Sequence, residues 1–325
     1  MKLTKRALLA ATAAFAMAGT APAMAQDWPD GPVTIIVPWS SGGGTDATAR
    51  MIGTLLEDEI GVPVNVVNRT GGSGVIGHTA IADADADGQT IGVATLEIGS
   101  MHTLGLTDLT YEAYAPIGLY NSDPAALFVR SNSDYEDAAA LLAALEGAED
   151  RAFKASGSAQ GGVNHLALAG MLLAAGMPPE RVAWVPSEGA APGLQDLAAG
   201  GVEIATASLP EAAALMDAGL IRPLAVFAAD RLESAPDVPT FEEATGNTFA
   251  LGSWRGIVAP AGIHEDVQSQ LIEAVGAVVE HPDYLAFMND RGYATQWTPG
   301  AEFESFMEQS DAALADSLAA VGLAK

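Results

Sequence analysis

The sequence contains no cysteine, and basic residues are scarce. Its 325 residues include 41 Asp and Glu against 14 Lys and Arg, which gives a formal net charge of −27 at pH 7. The lack of cysteine excludes disulfide bonds, thiolate metal sites and a cysteine nucleophile. The acidic balance argues against nucleic acid and anionic membrane surfaces as partners, because both repel negative charge. We therefore expect no nucleic acid partner.

Long apolar runs are also missing, except at the N-terminus. There, basic residues precede an apolar run over residues 7–18, and a small-x-small pattern ends at Ala25. This order is typical of a secretory signal peptide, which we predict over residues 1–25. No later stretch has the roughly 18 consecutive apolar residues that a membrane-spanning helix needs. We expect an exported, soluble protein of the periplasm, acting as a monomer.

Motifs of catalytic and metal sites are absent too. The sequence has no G-x-S-x-G or S-x-x-K motif, and its histidines show no metal-binding spacing. Residues 72–77 fit G-x-G-x-x-G, but they follow the second predicted strand, and an exported protein has little access to NAD. Residues 83–88 resemble the start of an EF-hand loop, but the twelfth position is Ala94 instead of Glu. We predict no catalytic residues, no cofactor and no metal. The alternative is a catalytic triad whose residues are distant in sequence and meet only in the folded chain.

A strand, a glycine-rich loop and a helix are predicted over residues 33–56. A β-branched run ends at Pro38, three consecutive glycines follow, and apolar residues then recur at helical spacing. Thr45 or Asp46 is expected to cap this helix. The backbone N–H groups of such a loop and the positive end of the helix dipole favour an anion. Trp39, just before the glycines, either lines this pocket or packs in the core.

The same pattern of strand, small-residue loop and helix returns along the chain. It recurs over residues 64–82 and again over residues 153–173. This order predicts parallel strands with right-handed crossovers, whose loops gather at one edge of an open sheet. We predict an α/β fold of two doubly wound domains with a ligand cleft between them. Domain 1 is expected to comprise residues 26–125 and 228–325, and domain 2 residues 126–227.

Several stretches resemble the periplasmic receptors of tripartite tricarboxylate transporters, the Bug family. Residues 37–46 resemble the loop after the first strand of that family, and residues 68–77 resemble its second glycine-rich segment. Further similar stretches follow in the family's order at residues 87–90, 157–166, 191–200, 231–243 and 254–260. The resemblance implies a type II periplasmic binding protein fold that closes on a small organic carboxylate. It also implies delivery of this ligand to the integral membrane permease subunits of such a transporter.

The resemblance further implies which residues bind the ligand. Two glycine-rich loops of domain 1 are expected to hold a carboxylate opposite a loop of domain 2. The alternatives to a transport receptor are a secreted α/β hydrolase and a ligand-sensing module without a transport role. The residues expected in the site are Trp39, Ser40, Ser41, Gly43, Thr45, Asp46, Gly72, Ser73, Gly74, Thr95, Ser156, Ser158, Gly162, Ser187 and Glu188.

Ser187 and Glu188 depart from the family pattern, in which Tyr and Lys are usual at these positions. Glu188 removes a cation near the edge of the cleft, and Ser187 removes a phenol. We expect these two residues to decide which acid is bound, and to favour a neutral or amine-bearing distal group or a smaller acid.

Overall fold

One long strand joins two mixed β-sheets and forms the framework of the protein. The computed structural model describes residues 28–325, and the predicted signal peptide lies outside the described residues. Within this part of the chain, no helix is long and apolar enough to cross a membrane.

Strands and helices alternate along most of the chain. The strands are β1 (Val33–Val37), β2 (Val64–Asn68), β3 (Thr90–Thr95), β4 (Tyr114–Arg130), β5 (Phe153–Ser156), β6 (Val182–Trp184), β7 (Ile204–Ser208), β8 (Ile221–Val226), β9 (Gly252–Pro260) and β10 (Thr298–Pro299). The helices are α1 (Gly44–Ile60), α2 (Val75–Ala82), α3 (Ala138–Gly147), α4 (Val163–Ala174), α5 (Ala190–Ala199), α6 (Leu209–Asp217), α7 (Phe241–Thr245), α8 (Glu265–Glu280), α9 (Pro282–Arg291) and α10 (Gly300–Ala320). Short 3-10 turns lie at Gly72–Gly74, Leu96–Gly99, Tyr111–Ala113 and Pro179–Arg181.

The first sheet has the strand order β2-β1-β3-β9-β4-β10. Strands β1, β2 and β3 are parallel, as the β-α-β pattern predicts. Strand β9 runs antiparallel between β3 and β4, so the C-terminal part of the chain returns to this sheet. Because β1 to β3 are parallel, the loops after β1 and β3 lie at the same edge of the sheet.

The second sheet has the order β8-β4-β7-β5-β6. The sequence suggests two separate strands on either side of residues 121–124, but β4 continues unbroken through them. Up to Pro124 the strand pairs with β9, and from Ala125 onward it pairs with β7 and β8. The polar residues near 121–124 do not interrupt the strand because Arg255 of β9 hydrogen-bonds to them, as described below.

Helices cover both faces of each sheet. In β1, Val33, Ile35 and Val37 pack into one apolar cluster with α1 and α8, whereas Ile36 packs into the cluster on the other face with α2 and α10. The second sheet has a similar cluster on each of its faces. Each fully buried aliphatic side chain contributes about 1.5–3 kcal/mol. The predicted class, α/β with two doubly wound units, is therefore confirmed.

Helix α1 begins earlier than its sequence suggests. Its N-cap is Gly43, and no side chain caps it. The prediction that Thr45 or Asp46 is the capping residue is wrong, because both already lie inside the first turn. Gly42, just before the cap, has a φ of 82°, a conformation that favours glycine, and the carboxylate of Asp46 reaches back and accepts a hydrogen bond from the Gly42 N–H.

Candidate functional site

The N-termini of α1 and α4 border one pocket between the two sheets. This pocket has a volume of about 40 Å³. Such a small volume means that side chains from both sheets meet across the cleft. Its lining consists of Trp39, Ser40, Gly43, Gly44, Thr45, Thr95, Glu97, Ser158, Val163, Asn164, Gly189, Ala190, Glu211, Ser253, Trp254 and Arg255.

Eleven of the fifteen residues predicted from the sequence line this pocket or the groove beside it. Those lining the pocket are Trp39, Ser40, Gly43, Thr45, Thr95 and Ser158. Those lining the groove, which shares the Trp39 wall, are Gly72, Ser73, Gly74, Ser187 and Glu188. Of these, Ser73 has a φ of 59°, a conformation that is uncommon for residues other than glycine and that is concentrated at functional sites.

Four predicted residues line neither space. Ser41 is exposed, and the hydroxyl of Ser156 donates to the Val185 carbonyl. Gly162 is the N-cap of α4, and a Cβ built on it would lie 2.9 Å from the Ser158 hydroxyl and 3.1 Å from Oε1 of Glu97, so a side chain there would displace both groups. Asp46 is the fourth, and its carboxylate has other partners.

The carboxylate of Asp46 organises the glycine loop. It accepts hydrogen bonds from the Gly42 N–H at 2.9 Å, the Asn68 amide at 2.8 Å and the Arg50 guanidinium at 3.1 Å. Burial by itself would raise the pKa of Asp46, but these hydrogen bonds outweigh it and hold the pKa below its ordinary value. Asp46 therefore fixes the loop conformation rather than lining the pocket.

Trp39 is both buried and part of the pocket wall, which are the two roles that its sequence position leaves open. Only 8% of the residue is exposed, and it lines the pocket. Its indole N–H donates to Thr95 Oγ1 at 3.2 Å, and its ring lies edge-on to His78. The indole is thus a fixed wall between the pocket and the neighbouring groove.

Arg255 of β9 is the most buried cation of the site, and the sequence patterns do not single it out. Its side chain donates to Thr45 Oγ1, Asn121 and Asp123, and its Nη2 atom lies 2.9 Å from Oε1 of Glu211. Burial would lower the pKa of Arg255, but the carboxylates of Glu211 and Asp123 outweigh it and raise that pKa. Burial conversely raises the pKa of Asp123.

Two glutamates extend across the cleft in opposite directions. Glu97 follows β3 of the first sheet and accepts a hydrogen bond from the Val163 N–H, the first residue of α4, at 3.1 Å. Glu211 of α6 in the second half lies against the start of α1, since a Cβ built on Gly44 would be 2.9 Å from its Oε1 atom. Each carboxylate therefore lies at the positive end of a helix from the other half of the molecule.

Two buried hydroxyls of the pocket have no hydrogen-bond partner within residues 28–325. They are Ser40 Oγ, on the loop after β1, and Ser253 Oγ, on β9 next to Arg255. Buried polar atoms normally have partners, so these two unpaired hydroxyls leave hydrogen-bonding capacity for a polar group in the pocket. The sequence pattern includes Ser40 but misses Ser253.

The edge of the cleft is held by Glu188. Its backbone carbonyl accepts from the Ser40 N–H at 3.0 Å, and its carboxylate accepts from the Thr70 hydroxyl at 2.9 Å. The hydroxyl of Ser187 donates to the Gly189 carbonyl and is thereby turned toward its own loop.

Within the described part of the chain, no group of three or more His, Asp or Glu side chains is arranged to hold a metal ion. The donors of the site are helix N-termini, hydroxyls and one guanidinium, which suit a carboxylate, and its acceptors include the carboxylates of Glu97 and Glu211.

The family model for the tripartite tricarboxylate transporter family receptor, TctC, matches residues 48–314. The chain belongs to this receptor family. Among curated proteins, this receptor is 30% identical over 272 residues to a UPF0065 protein of the tcbD-tcbE intergenic region of Pseudomonas sp. strain P51, covering 82% of this chain and 80% of that protein. It is also 30% identical over 285 residues to BugT of Bordetella pertussis, covering 81% and 86%.

Solved structures of similar receptors share the fold. A protein of R. palustris solved with adipate superposes with a TM-score of 0.84 at 29% identity, covering 92% of this chain and 99% of that one. MatC of Rhodopseudomonas palustris with bound malate gives 0.81 at 25% identity, covering 90% and 100%. The periplasmic binding protein BugD gives 0.85 at 24% identity, covering 92% and 100%, which supports the fold. The predicted periplasmic binding protein fold is confirmed.

Proposed function

We propose that this receptor binds a small organic carboxylate in the cleft and delivers it to the permease subunits of a tripartite tricarboxylate-type transporter. In this proposal the signal peptide directs the chain to the periplasm, where it works as a monomer without catalysing a reaction.

One observation carries this proposal. The N-terminus of α1 has no side-chain cap and borders the same pocket as Arg255 and the unpaired hydroxyls of Ser40 and Ser253. The first N–H groups of a helix have no intrahelical partner and carry partial positive charge. A carboxylate bound there would accept hydrogen bonds from both hydroxyls and from the helix start. These donors are already ordered in the folded chain, which lowers the entropic cost of binding.

The relatives support the carboxylate class. One similar structure was solved with adipate and another with malate, both small carboxylates. In our proposal the glycine loops at residues 40–45 and 72–74 face the first carboxylate, while Ser158 and the segment with Ser187 and Glu188 close over the rest of the ligand.

In our proposal the two halves separate for ligand entry, because Glu97 bonds to the Val163 N–H and Arg255 bonds to Glu211 across the cleft. We place the hinge where β4 passes from the first sheet to the second, with domain 1 formed by residues 26–125 and 228–325 and domain 2 by residues 126–227. A ligand that contacts both halves would stabilise the closed form and shift the population toward it.

The proposal is tested by calorimetry on the mature chain after the purified protein has been unfolded, dialysed and refolded to remove bound ligand. A panel of mono-, di- and tricarboxylates, including malate, adipate and amino acids, would be titrated. We expect at least one to bind with a micromolar or lower Kd, and we expect thermal stabilisation by the same compound. A complete lack of binding across the panel would contradict the proposed function.

The same samples separate the alternatives. A hydrolase would convert the bound ligand, so NMR spectra of protein and ligand recorded over hours should remain unchanged if the chain is only a receptor. A transport role predicts that deletion of the gene abolishes uptake of the bound acid, whereas a purely sensory module would leave uptake intact.

A further inference from the structure

We infer that the ligand of this receptor is an acid that also carries an ammonium group, and that Glu97 is the residue that binds this group. This inference rests on the proposed function and narrows it from carboxylates in general to acids with a positively charged nitrogen.

The first argument is the balance of charge in the cleft. The buried charged groups at or against the pocket are the carboxylates of Glu97, Glu211 and Asp123 and one guanidinium, that of Arg255. Glu211 and Asp123 both pair with that guanidinium. The site therefore already has a surplus of negative charge before any ligand enters.

A dicarboxylate would add two further negative charges to this surplus. Like charges a few ångströms apart in a poorly solvated site repel strongly, because the effective dielectric constant is far below that of water. A monocarboxylic acid with an ammonium group adds no net charge, and a dicarboxylic acid with an ammonium group adds one negative charge instead of two. Its carboxylate can use the α1 N-terminus and the free hydroxyls, and its nitrogen can bind one of the cleft carboxylates.

Glu97 is the carboxylate that remains available for a cation. The residue is only 3% exposed, and among residues 28–325 no Lys, Arg or His forms an ion pair with it. Thr95 donates to its Oε2 atom and the Val163 N–H donates to its Oε1 atom, which uses two of about four acceptor positions. The remaining positions are free, and Glu97 itself lines the pocket.

The aromatic lining supports the same assignment. Trp39 and Trp254 both line the pocket that contains Glu97. Two bulky indoles limit the water around the Glu97 carboxylate, which is itself 3% exposed. Where little water is present, the attraction between a carboxylate and an ammonium group is stronger than it is in bulk solvent.

The test compares pairs of acids that differ only by exchange of the charged nitrogen for carbon. The pairs are alanine with isobutyrate, glutamate with 2-methylglutarate, and glycine betaine with 3,3-dimethylbutyrate, titrated by calorimetry together with malate and adipate. The first two pairs probe a primary ammonium and the third a quaternary one. We expect the nitrogen-bearing member of at least one pair to bind at least tenfold more tightly than its carbon analogue.

Glu97→Gln removes the charge while keeping the acceptor for the Val163 N–H, so the tenfold preference should fall below threefold. The matched control is Glu59→Gln, which removes the same charge from an exposed position near the far end of α1 and should leave the preference unchanged. If Glu97→Gln does not fold, the wild-type ratios still decide whether the ligand carries an ammonium group, and a tenfold preference that is absent in them overturns the inference.

The outcomes separate the two proposals. If malate, adipate or the carbon analogues bind as tightly as the nitrogen-bearing acids, or if Glu97→Gln keeps the full preference, the ammonium assignment is overturned and the carboxylate receptor stands. If no acid of either kind binds to the wild-type protein, the proposed function itself is contradicted.

Discussion

The Nη2 atom of Arg255 lies 2.9 Å from Oε1 of Glu211, and these two residues belong to opposite halves of the cleft. Arg255 is on β9 of the first sheet, and Glu211 is on α6, which follows β7 of the second sheet. Both side chains are buried, at 3% and 9% exposure. A buried pair of this kind is costly to break, because removal of one partner leaves the other charge without compensation.

Replacement of Arg255 by Lys should therefore be harmful although the charge is kept. The guanidinium contacts Thr45, Asp123 and Glu211 through three different nitrogens, and a single ammonium cannot reach all three. We expect Arg255→Lys to lower the free energy of unfolding by about 1–3 kcal/mol. Urea denaturation measures this change. Arg231→Lys, at an exposed pair with Glu243, is the control and should lower the free energy of unfolding much less, because water screens exposed charges. Equal effects of the two variants would argue against a special role for Arg255.

Two adjacent glycines allow a sharp test of the α1 N-terminus. A Cβ on Gly44 would lie 2.8 Å from Nη2 of Arg255 and 2.9 Å from Oε1 of Glu211, whereas a Cβ on Gly43 would meet only the Ser40 carbonyl oxygen at 3.6 Å. We expect Gly44→Ala to displace the ion pair and weaken ligand binding by tenfold or more, while Gly43→Ala changes the Kd by less than threefold. Calorimetry with the best ligand of the panel gives both values. If Gly44→Ala binds normally, the ligand does not need this part of the site.

Asp46 holds the glycine loop in its conformation, and we expect its substitution to affect both stability and ligand binding. Asp46→Asn keeps the size of the side chain but removes the charge that accepts from Gly42, Asn68 and Arg50. Hydrogen bonds to a charged group contribute about 1.5–3 kcal/mol, so we expect a loss of stability of that order, together with weaker binding. Thermal unfolding and calorimetry measure the two effects. Asp58→Asn, at an exposed position of the same helix, should leave both unchanged.

The sequence predicts the local parts of the site well. Trp39, Ser40, Gly43 and Thr45 lie within one strand-loop-helix unit, and parallel strand order brings the loop after β1 next to Thr95 at the end of β3. Such residues are predictable because a short stretch of chain and one topological rule determine their positions.

The missed residues owe their roles to distant partners. Arg255 meets Asp123 and Glu211, which lie 132 and 44 residues away, and Glu97 meets Val163, which lies 66 residues away. No local period encodes such contacts. A signal was nevertheless present: Arg255 is the charged residue of a mostly apolar strand, and a buried charge requires a partner. Asn121 and Asp123 in β4 carried the complementary signal.

Two buried histidines should make the protein sensitive to acid. Burial lowers the pKa of His78 to about 4 although its ring donates to the Gly74 carbonyl, and burial lowers the pKa of His165 to about 4 as well. The ordinary value is 6.5, so between pH 6.5 and pH 4 the unfolded chain takes up protons that the native chain does not bind. Acidification through this window must therefore favour unfolding, by at most about 3 kcal/mol for each ring.

Unfolding midpoints in urea, measured from pH 7.5 down to pH 4.5, check this expectation. His165→Asn keeps an acceptor for the Gly161 N–H, which bonds to Nδ1 of His165. We expect the His165→Asn substitution to remove about half of the pH dependence of the unfolding midpoint in this window. His281→Asn, at an exposed cap of α9, replaces another histidine by a residue that also caps helices and serves as the control. A steep loss of stability that persists unchanged in His165→Asn would assign the acid sensitivity to other groups, because a ring that is absent can no longer take up its proton on unfolding.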